Sequence, residues 1–276
     1  MKYIFFDIDG TLLDSEKGIN PSTVEALKKA RAKGHKVFIN TGRSYAELGT
    51  GFEQFEFDGV VCAAGAYIKI GDQVIFDKYI GEKEVDEIIS ILEELKIEYA
   101  LEGIEFTYFT EPVYQGFRDR VYKAIEGILD VEPNGYEPYH FMLQPAFVRK
   151  VEDYYEEKTI IQKFLLYSRN IESNYELANK LSDDYALIIY DTFAELIHKG
   201  INKATGIDRV MEYYGANIKD SIAIGDSLND LDMLREAGIG IAMGNAPDEV
   251  KEHADIVAPH ILDDGIYKVL EELKVI

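Results

Sequence analysis

The chain opens with a short apolar run that stops abruptly at two acidic residues, in the segment YIFFDIDGTLLD. The run from Tyr3 to Phe6 is typical of a strand buried on both faces, as in the middle of a parallel sheet. Side chains alternate along a strand, so Asp7 and Asp9 should project the same way while Ile8 points back into the protein. Two neighbouring carboxylates at the end of a buried strand repel each other, and this arrangement predicts a bound cation. A plain Asp-Gly turn is the alternative interpretation.

Two later apolar strands are predicted to end in polar residues at the same edge of the sheet. KVFIN runs into Thr41, and SIAIG ends at Asp226. The carboxyl ends of neighbouring parallel strands face one crevice, where these side chains should meet the first acidic pair. Helical spacing after Asp226 adds Asn229 and Asp230 to the crevice, although GDSLND is also compatible with a simple capped helix start.

Four acidic side chains in one crevice predict a hard divalent cation bound by oxygen ligands. The predicted metal ligands are Asp7, Asp9, Asp226 and Asp230. Because Mg²⁺ prefers oxygen ligands and keeps positions for water and substrate, it is the predicted cofactor.

The order of the elements predicts the fold class and its division into domains. Strands alternate with helices at both ends of the chain, which indicates an α/β fold with a Rossmann-like parallel-sheet core and helices on both faces. From about Glu82 the pattern changes to a strongly acidic amphipathic helix followed by alternating segments such as EYALEG and FAELIHK. We therefore predict a core formed by residues 1–81 and 200–276, and an inserted α+β unit at 82–199, here called the cap.

The charge balance narrows the possible partners. The 276 residues include 51 acidic and 29 basic side chains, a net charge of −22, which repels nucleic acid and anionic membrane surfaces. The single cysteine, Cys62, lies in an apolar run and cannot form an internal disulfide, and a reducing cytoplasm fits this usage. No run reaches the ~18 apolar residues of a membrane span. A cytoplasmic protein without nucleic-acid or membrane partners is expected.

Four motifs in sequence order carry a resemblance to a known family. DIDGT, NTGR, the lysine of INKATG and GDSLND resemble the motifs of the haloacid dehalogenase (HAD) superfamily of phosphohydrolases. The insert between the second and third motifs is similar to that of the Cof-type subfamily, whose cap is of the C2B type. The resemblance spans essentially the whole chain. It implies a Mg²⁺-dependent phosphatase of small phosphate esters, with sugar phosphates first among them, acting as a monomer or homodimer.

The same resemblance implies a role for each matching residue. Asp7 would be the nucleophile that forms an aspartyl-phosphate, and Asp9 the general acid and then the general base. The metal would be held by the Asp7 side chain, the Asp9 backbone carbonyl and Asp226, with Asp230 orienting the site. Thr41 and Lys203 would contact the phosphoryl oxygens as further catalytic residues. The remaining phosphate-binding groups would be Ile8, Gly42 and Asn229.

Three questions stay open from the sequence. Arg43 either lines the substrate pocket or pairs with one of the many acids. His140 is expected to be structural rather than to face the cleft. A phosphosugar mutase and a non-catalytic phosphate-binding module are alternative functions. The acidic character of the stretch from 82 to 129 counts against the mutase, because a bisphosphate intermediate favours a cationic cap.

Overall fold

The structure is a computed structural model that describes residues 1–48, 51–52, 55–128, 147–167, 171–190 and 193–276, with the backbone alone for 120–128 and 171–172. His140 lies outside the described residues. The strands are β1 (Tyr3–Phe6), β2 (Lys36–Asn40), β3 (Gly59–Cys62), β4 (Tyr67–Ile70), β5 (Gln73–Asp77), β6 (Glu98–Gly103), β7 (Thr107–Phe109), β8 (Val148–Lys150), β9 (Ile161–Tyr167), β10 (Tyr185–Ile189), β11 (Ala194–His198), β12 (Ser221–Gly225), β13 (Gly240–Ala242) and β14 (Ile256–Val257). The α-helices are α1 (Pro21–Ala32), α2 (Glu82–Glu94), α3 (Glu111–Ile128), α4 (Val151–Glu157), α5 (Ile171–Lys180), α6 (Lys203–Tyr213), α7 (Leu231–Glu236), α8 (Asp248–Lys251) and α9 (Gly265–Glu272).

The main sheet has the strand order β14-β13-β12-β1-β2-β3-β4-β5. Its strands from β14 to β3 are parallel, and β1 pairs on one side with β2 and on the other with β12. The edge formed by β4 and β5 is antiparallel and extends the sheet beyond the predicted parallel core. The α/β class is confirmed, and the antiparallel edge is an addition that the strand-helix alternation did not predict.

Strand β1 is buried on both faces, as its unbroken apolar sequence predicts. Ile4 and Phe6 pack on one side with residues of α1 and α9. Tyr3 and Phe5 pack on the other side with residues of α6 and α7. Helices therefore cover both faces of the main sheet at β1, and this strand can present polar groups only beyond its end.

Local sequence signals determine where helix α1 begins and ends. Asn20 accepts a hydrogen bond from the backbone N–H of Ser22, and Pro21 occupies the first helical position, where its missing N–H costs nothing. Gly34 follows the helix with a φ of +85°, a left-handed conformation that stops the helix and turns the chain into β2. The helix begins and ends where the sequence predicts.

The cap sheet has the order β10-β11-β9-β6-β7-β8. It is antiparallel except for the β7–β8 pair, and neither β8 nor the short helix α4 was anticipated from the sequence. One face packs against α2 and α5 through a buried apolar cluster that includes Val85, Leu92, Phe164 and Leu177. The opposite face carries the charged residues described below.

The segments that connect the two sheets are held by hydrogen bonds. The backbone N–H of Ile80 donates to the carbonyl of Ile161 (2.8 Å), and His198 Nε2 lies 2.9 Å from the carbonyl oxygen of Tyr79. The division into residues 1–81 with 200–276 and 82–199 remains our proposal, and it is supported by the fact that β6 to β11 make up the cap sheet alone. None of the helices in the described ranges has the length and apolar character needed to cross a membrane.

Candidate active site

Asp7 and Asp9 follow β1 at the carboxyl edge of the main sheet. The backbone N–H of Asp7 donates to the carbonyl of Ile224 in β12 (2.9 Å), so the ladder between the two strands continues into the site. The Asp7 side chain is buried, whereas the Asp9 side chain is 61% exposed. Ile8 between them is fully buried, as the alternation predicts. One carboxylate therefore lies inside the cleft and the other at its mouth.

The loop after Asp9 presses against Asp226. Gly10 has a φ of +89°, and a Cβ atom at this position would lie 2.1 Å from Asp226 Oδ2, so only glycine fits. Thr11 Oγ1 donates to Asp226 Oδ1 (2.8 Å), and Asn245 Nδ2 donates to the Gly10 carbonyl (2.7 Å). Thr11 and Asn245 were missed by the sequence analysis. Thr11 stands within DIDGT, and Asn245 follows β13 at the same sheet edge, which is the signal that could have indicated them.

Asp230 holds the loop after β12 in place. Its Oδ2 accepts from the backbone N–H groups of Asp226 and Ser227, each at 2.9 Å, and from Ser227 Oγ at 3.1 Å. Gly225 has no room for a side chain because an added Cβ would lie 2.5 Å from Asp230 Cγ. Both oxygens of Asp230 are engaged, since Oδ1 accepts from Lys203. This supports the interpretation that Asp230 orients the site.

Lys203 links the two groups of carboxylates. It is the first residue of α6, whose N-cap Asn202 accepts from the backbone N–H of Thr205 (2.9 Å). Its buried Nζ donates to Asp7 Oδ1 and Asp230 Oδ1, both at 2.6 Å, and to Asn229 Oδ1 at 3.1 Å. Burial alone would lower the pKa of Lys203, but the two carboxylates outweigh burial and raise it. The lysine is therefore a permanent positive charge.

The loop after β2 forms the other wall. Asn40 Nδ2 donates to the Lys203 carbonyl (3.0 Å), a buried contact made by the first residue of the NTGR motif, although Asn40 was not among the predicted site residues. Thr41 is buried beside it, and its Oγ1 accepts from the backbone N–H of Arg43 (3.2 Å). The Arg43 guanidinium donates twice to the Asp9 carboxylate, from Nε at 2.8 Å and from Nη2 at 2.5 Å. Of the two roles left open for Arg43, the structure shows the pairing with an acid, and that acid belongs to the site.

A divalent cation fits the carboxylates. Asp7, Asp226 and Asp230 each offer an oxygen, and the three oxygens lie within 4.8 Å of one another. Burial raises the pKa of Asp226 to about 6, and the negative charge of Asp230 adds to this while the Thr11 hydrogen bond opposes it. Burial also raises the pKa of Asp7 well above its usual range, against the pull of Lys203. With one lysine among three carboxylates the cluster holds an excess of negative charge, which oxygen-preferring divalent ions neutralise.

A separate cavity of about 570 Å³ opens beside the site. Its walls include Tyr45, Phe52, Phe57, Val60, Ile104 and Phe106, from the loops around β2 and β3 and from the cap. Volume alone would favour it as a binding site, but the titratable groups with convergent geometry lie elsewhere, and we place the chemistry at the carboxylates.

The predicted site residues gather at one edge of the main sheet. Asp7, Thr41, Lys203 and Asp230 form the buried part, and Asp226 and Asn229 are partly buried next to them. Gly42 lies against Asn229, since a Cβ on Gly42 would be 3.6 Å from Asn229 Nδ2. Asp9 and Arg43 stand at the mouth.

This arrangement of strand-end aspartates, a threonine and a helix-start lysine agrees with comparisons to known proteins. The family model described as haloacid dehalogenase-like hydrolase matches residues 4–270. The chain belongs to this family, which confirms the resemblance noted from its motifs. It is a HAD-family phosphatase of small phosphorylated substrates, and thus a phosphoric monoester hydrolase.

Individual relatives cover the full length of the chain. YkrA of Bacillus subtilis (strain 168) is 30% identical over 99% of this chain and 97% of its own length. The pyridoxal phosphate phosphatase YbhA of Escherichia coli (strain K12) is 25% identical, with 96% of each chain covered. The solved structure of the HAD subclass IIB sugar phosphatase BT4131 superimposes with a TM-score of 0.79 at 29% identity, covering 100% of both chains.

Proposed function

We propose that this protein is a Mg²⁺-dependent phosphatase that hydrolyses small phosphorylated metabolites, sugar phosphates first among them, through an aspartyl-phosphate on Asp7. The observation that carries the proposal is the pairing of a buried Asp7, bonded to Lys203, with an exposed Asp9 two residues later. A nucleophile must be fixed, whereas an acid-base group must reach both the leaving group and water.

The proposed reaction has two steps with the same residues. A carboxylate oxygen of Asp7 attacks phosphorus as the ester P–O bond breaks, and Asp9 donates its proton to the departing oxygen. Asp9 then takes a proton from water, whose oxygen attacks phosphorus, releasing inorganic phosphate and restoring the Asp7 carboxylate. Lys203 and Thr41, with the amides of Ile8 and Gly42 and the Asn229 side chain, would hold the phosphoryl oxygens.

The cation has a defined place in this scheme. Asp7, the Asp9 backbone carbonyl and Asp226 would hold it, with Asp230 fixing Asp226 through the loop between them. Mg²⁺ supplies positive charge that stabilises the phosphoryl oxygens in the transition state. Arg43 keeps the Asp9 carboxylate at the cleft mouth through two hydrogen bonds.

The choice of small metabolites as substrates is supported by the relatives. A similar structure is described as a sugar phosphatase, and similar proteins are named for pyridoxal phosphate and for 5-amino-6-(5-phospho-D-ribitylamino)uracil. All of these names describe phosphate monoesters with a small organic leaving group. The oligomeric state, monomer or homodimer, and the cytoplasmic location remain predictions, to be measured by light scattering and cell fractionation.

Phosphate release from a panel of sugar and cofactor phosphates tests the proposal. We expect release with Mg²⁺ and loss of it on chelation, with Asp7→Asn showing no turnover. Asp14→Asn is the matched control, because the Asp14 side chain accepts from the backbone N–H groups of Glu16 and Lys17 in the following turn and is not one of the clustered carboxylates. Acid-quenched wild-type protein should carry one phosphoryl group on Asp7 by mass spectrometry. Equal release with Mg²⁺ and with chelator, or full activity of Asp7→Asn, contradicts the proposal.

A further inference from the structure

Four polar residues meet on one face of the cap sheet, and the family motifs account for none of them. Glu102 lies on β6, Lys163 on β9 and Glu195 on β11, and Tyr190 follows β10. Lys163 Nζ lies 3.0 Å from Glu102 Oε2 and 2.6 Å from Glu195 Oε1, and the Tyr190 hydroxyl donates to Glu195 Oε2 (3.3 Å). We call these four residues the cap polar cluster.

Strand register places the charged residues side by side. Glu102 is directly opposite Lys163, and Glu195 is opposite Leu165, two residues along β9 from Lys163. Side chains two residues apart share a face of a strand, so all three charges project from the same side of the sheet. Phe164, the residue between, packs into the apolar cluster on the other side.

Burial makes this cluster costly for the fold. The side chains of Glu102, Lys163 and Glu195 are at most 8% exposed, and charges taken out of water seldom add stability compared with apolar residues. Within the part of the chain that the structure describes, Glu102 Oε2 accepts no hydrogen bond of good geometry, and its one close contact is the ion pair with Lys163 Nζ at 3.0 Å. A buried carboxylate oxygen that lacks a donor is an available acceptor.

The cap polar cluster lies near Gly42, in the loop after β2. A Cβ atom on Gly42 would lie 3.9 Å from Glu195 Oε1 and 3.6 Å from Asn229 Nδ2. Burial raises the pKa of Glu102, and the negative charge of Glu47, four residues after Arg43, adds to the increase. Glu195 of the cap polar cluster and Asn229 of the catalytic site therefore both lie close to Gly42.

We propose that the cap polar cluster binds the leaving group of the phosphate ester and selects polyhydroxylated or cationic leaving groups over those with a second negative charge. This inference rests on the proposed phosphatase function. Two carboxylates and one lysine carry one net negative charge, so they accept hydrogen bonds from hydroxyl or ammonium groups and repel a carboxylate or second phosphate. Tyr190 adds a neutral hydroxyl that both donates and accepts.

Three hexose derivatives with the phosphate on the same carbon provide the test: glucose 6-phosphate, glucosamine 6-phosphate and 6-phosphogluconate. In the wild-type protein with Mg²⁺ we expect kcat/KM for each of the first two to exceed that for 6-phosphogluconate by about tenfold or more. Glu195→Gln removes one negative charge with little change of shape, so it should reduce this ratio by about five- to tenfold, mainly through KM.

Glu157→Gln is the matched control. Glu157 is a cap carboxylate that accepts from the Tyr108 hydroxyl and is absent from the cap polar cluster, so the same change of charge should leave the ratio as in the wild type. Tyr190→Phe gives a second measurement: it removes a hydroxyl group from the cluster, so kcat/KM should fall more for the three hexose phosphates, all of which carry hydroxyl groups, than for p-nitrophenyl phosphate, which carries none. It decides the question if thermal unfolding shows that Glu195→Gln is not folded.

Two different results separate the failure of each idea. If p-nitrophenyl phosphate is not hydrolysed in the presence of Mg²⁺, the proposed phosphatase function itself is overturned. Hydrolysis of this ester together with any one of three results overturns the role of the cap polar cluster and leaves the phosphatase function standing. These results are a wild-type preference for 6-phosphogluconate, a folded Glu195→Gln variant that keeps the wild-type ratio, and a Tyr190→Phe variant that affects the hexose phosphates and p-nitrophenyl phosphate alike.

Discussion

The core and the cap each bury a lysine between two carboxylates, and the two arrangements differ in how they are built. Lys203 lies between Asp7 and Asp230 at the ends of strands and the start of a helix. Lys163 lies between Glu102 and Glu195 within the body of a sheet. The core residues come from segments about 200 positions apart, whereas the cap residues are fixed by cross-strand register alone.

The supporting groups differ as well. Asp230 in the core accepts from two backbone N–H groups and a serine hydroxyl, so its position is set by the main chain. Glu102 in the cap has one oxygen, Oε2, that contacts Lys163 in an ion pair but accepts no hydrogen bond of good geometry from the residues that the structure describes. A rigid group suits a reaction step that is the same for every substrate, and an incompletely bonded group suits contact with a variable leaving group.

The largest expected difference between the two lysines is in catalysis. Lys203→Met should lower kcat/KM for p-nitrophenyl phosphate by on the order of 10³-fold, because it removes a buried positive charge from the phosphoryl site. Lys163→Met should lower it by less than about tenfold, since this ester makes no use of hydroxyl contacts in the cap. Steady-state kinetics with saturating Mg²⁺ measures both, and similar losses in the two variants would remove the functional distinction.

The same Lys163→Met change should have a large effect on stability. It leaves Glu102 and Glu195 buried without a cation, which should lower the free energy of unfolding by about 3 to 5 kcal/mol. Urea denaturation followed by circular dichroism measures this. Lys180→Met, which removes an exposed pair with Glu94, is the control and should cost less than about 1 kcal/mol. If Lys163→Met also lowers the free energy of unfolding by less than about 1 kcal/mol, water must reach the cap polar cluster.

The core should show a pH dependence that comes from Asp226. Its pKa rises from 3.8 in the ordinary carboxyl to about 6 in the folded protein, so the folded state binds this proton more tightly than the unfolded chain. The contribution of Asp226 to the free energy of unfolding therefore falls as the pH rises from about 4 to about 6, by up to about 3 kcal/mol.

Thermal unfolding of the metal-free wild type and of metal-free Asp226→Asn, measured between pH 4.5 and 7, isolates this effect. Without metal, the variant should gain stability relative to the wild type as the pH rises. Above pH 6, Mg²⁺ should make the wild type the more stable of the two, because it stabilises only the wild type. A constant difference between the two proteins across this range would contradict the shift.

The smallest expected effect concerns how a helix ends in each region. In the core α1 is followed by Gly34 at φ +85°, and in the cap α2 is followed by Lys96 in the same left-handed region at φ +54°. Lys96→Gly should raise the free energy of unfolding by about 0.5 to 1 kcal/mol by relieving this strain. Gly34→Ala, where an added Cβ meets nothing within 4 Å, should lower it by about 1 kcal/mol. Urea denaturation of both variants measures the pair, and equal effects of one sign would refute this explanation.

The sequence predicted the main sheet better than its edge or the cap. Strands β1 and β12 were predictable because an unbroken apolar run ended by an aspartate has few other interpretations. The antiparallel edge of β4 and β5 was not, since β5 is largely exposed and its short hairpin carries no apolar periodicity. The convergence of Asp7, Thr41 and Asp226 followed from the rule that parallel strands end at one edge.

The remaining site residues could not be predicted for physical reasons. Asn40 opens the NTGR motif, but its contact with the Lys203 carbonyl joins residues 163 positions apart and forms only on folding, so the motif did not show what Asn40 binds. In the sequence, the alternating segments of the cap place polar residues where a half-exposed strand would face solvent, and these include Glu102, Lys163 and Glu195. Their burial depends on which side of the cap sheet faces the core, which a one-dimensional pattern does not contain.

The pairing of β1 with β12 also affects when the protein becomes active during its own synthesis. Tyr3 is in register with Ser221, so β1 leaves the ribosome more than 200 residues before its second neighbour, β12, exists. Until then Asp226, Asp230 and Lys203 are missing from the vicinity of Asp7. The site around Asp7 is therefore incomplete in a nascent chain, and hydrolysis of phosphate esters has to wait until the segment that carries α6 and β12 docks against β1.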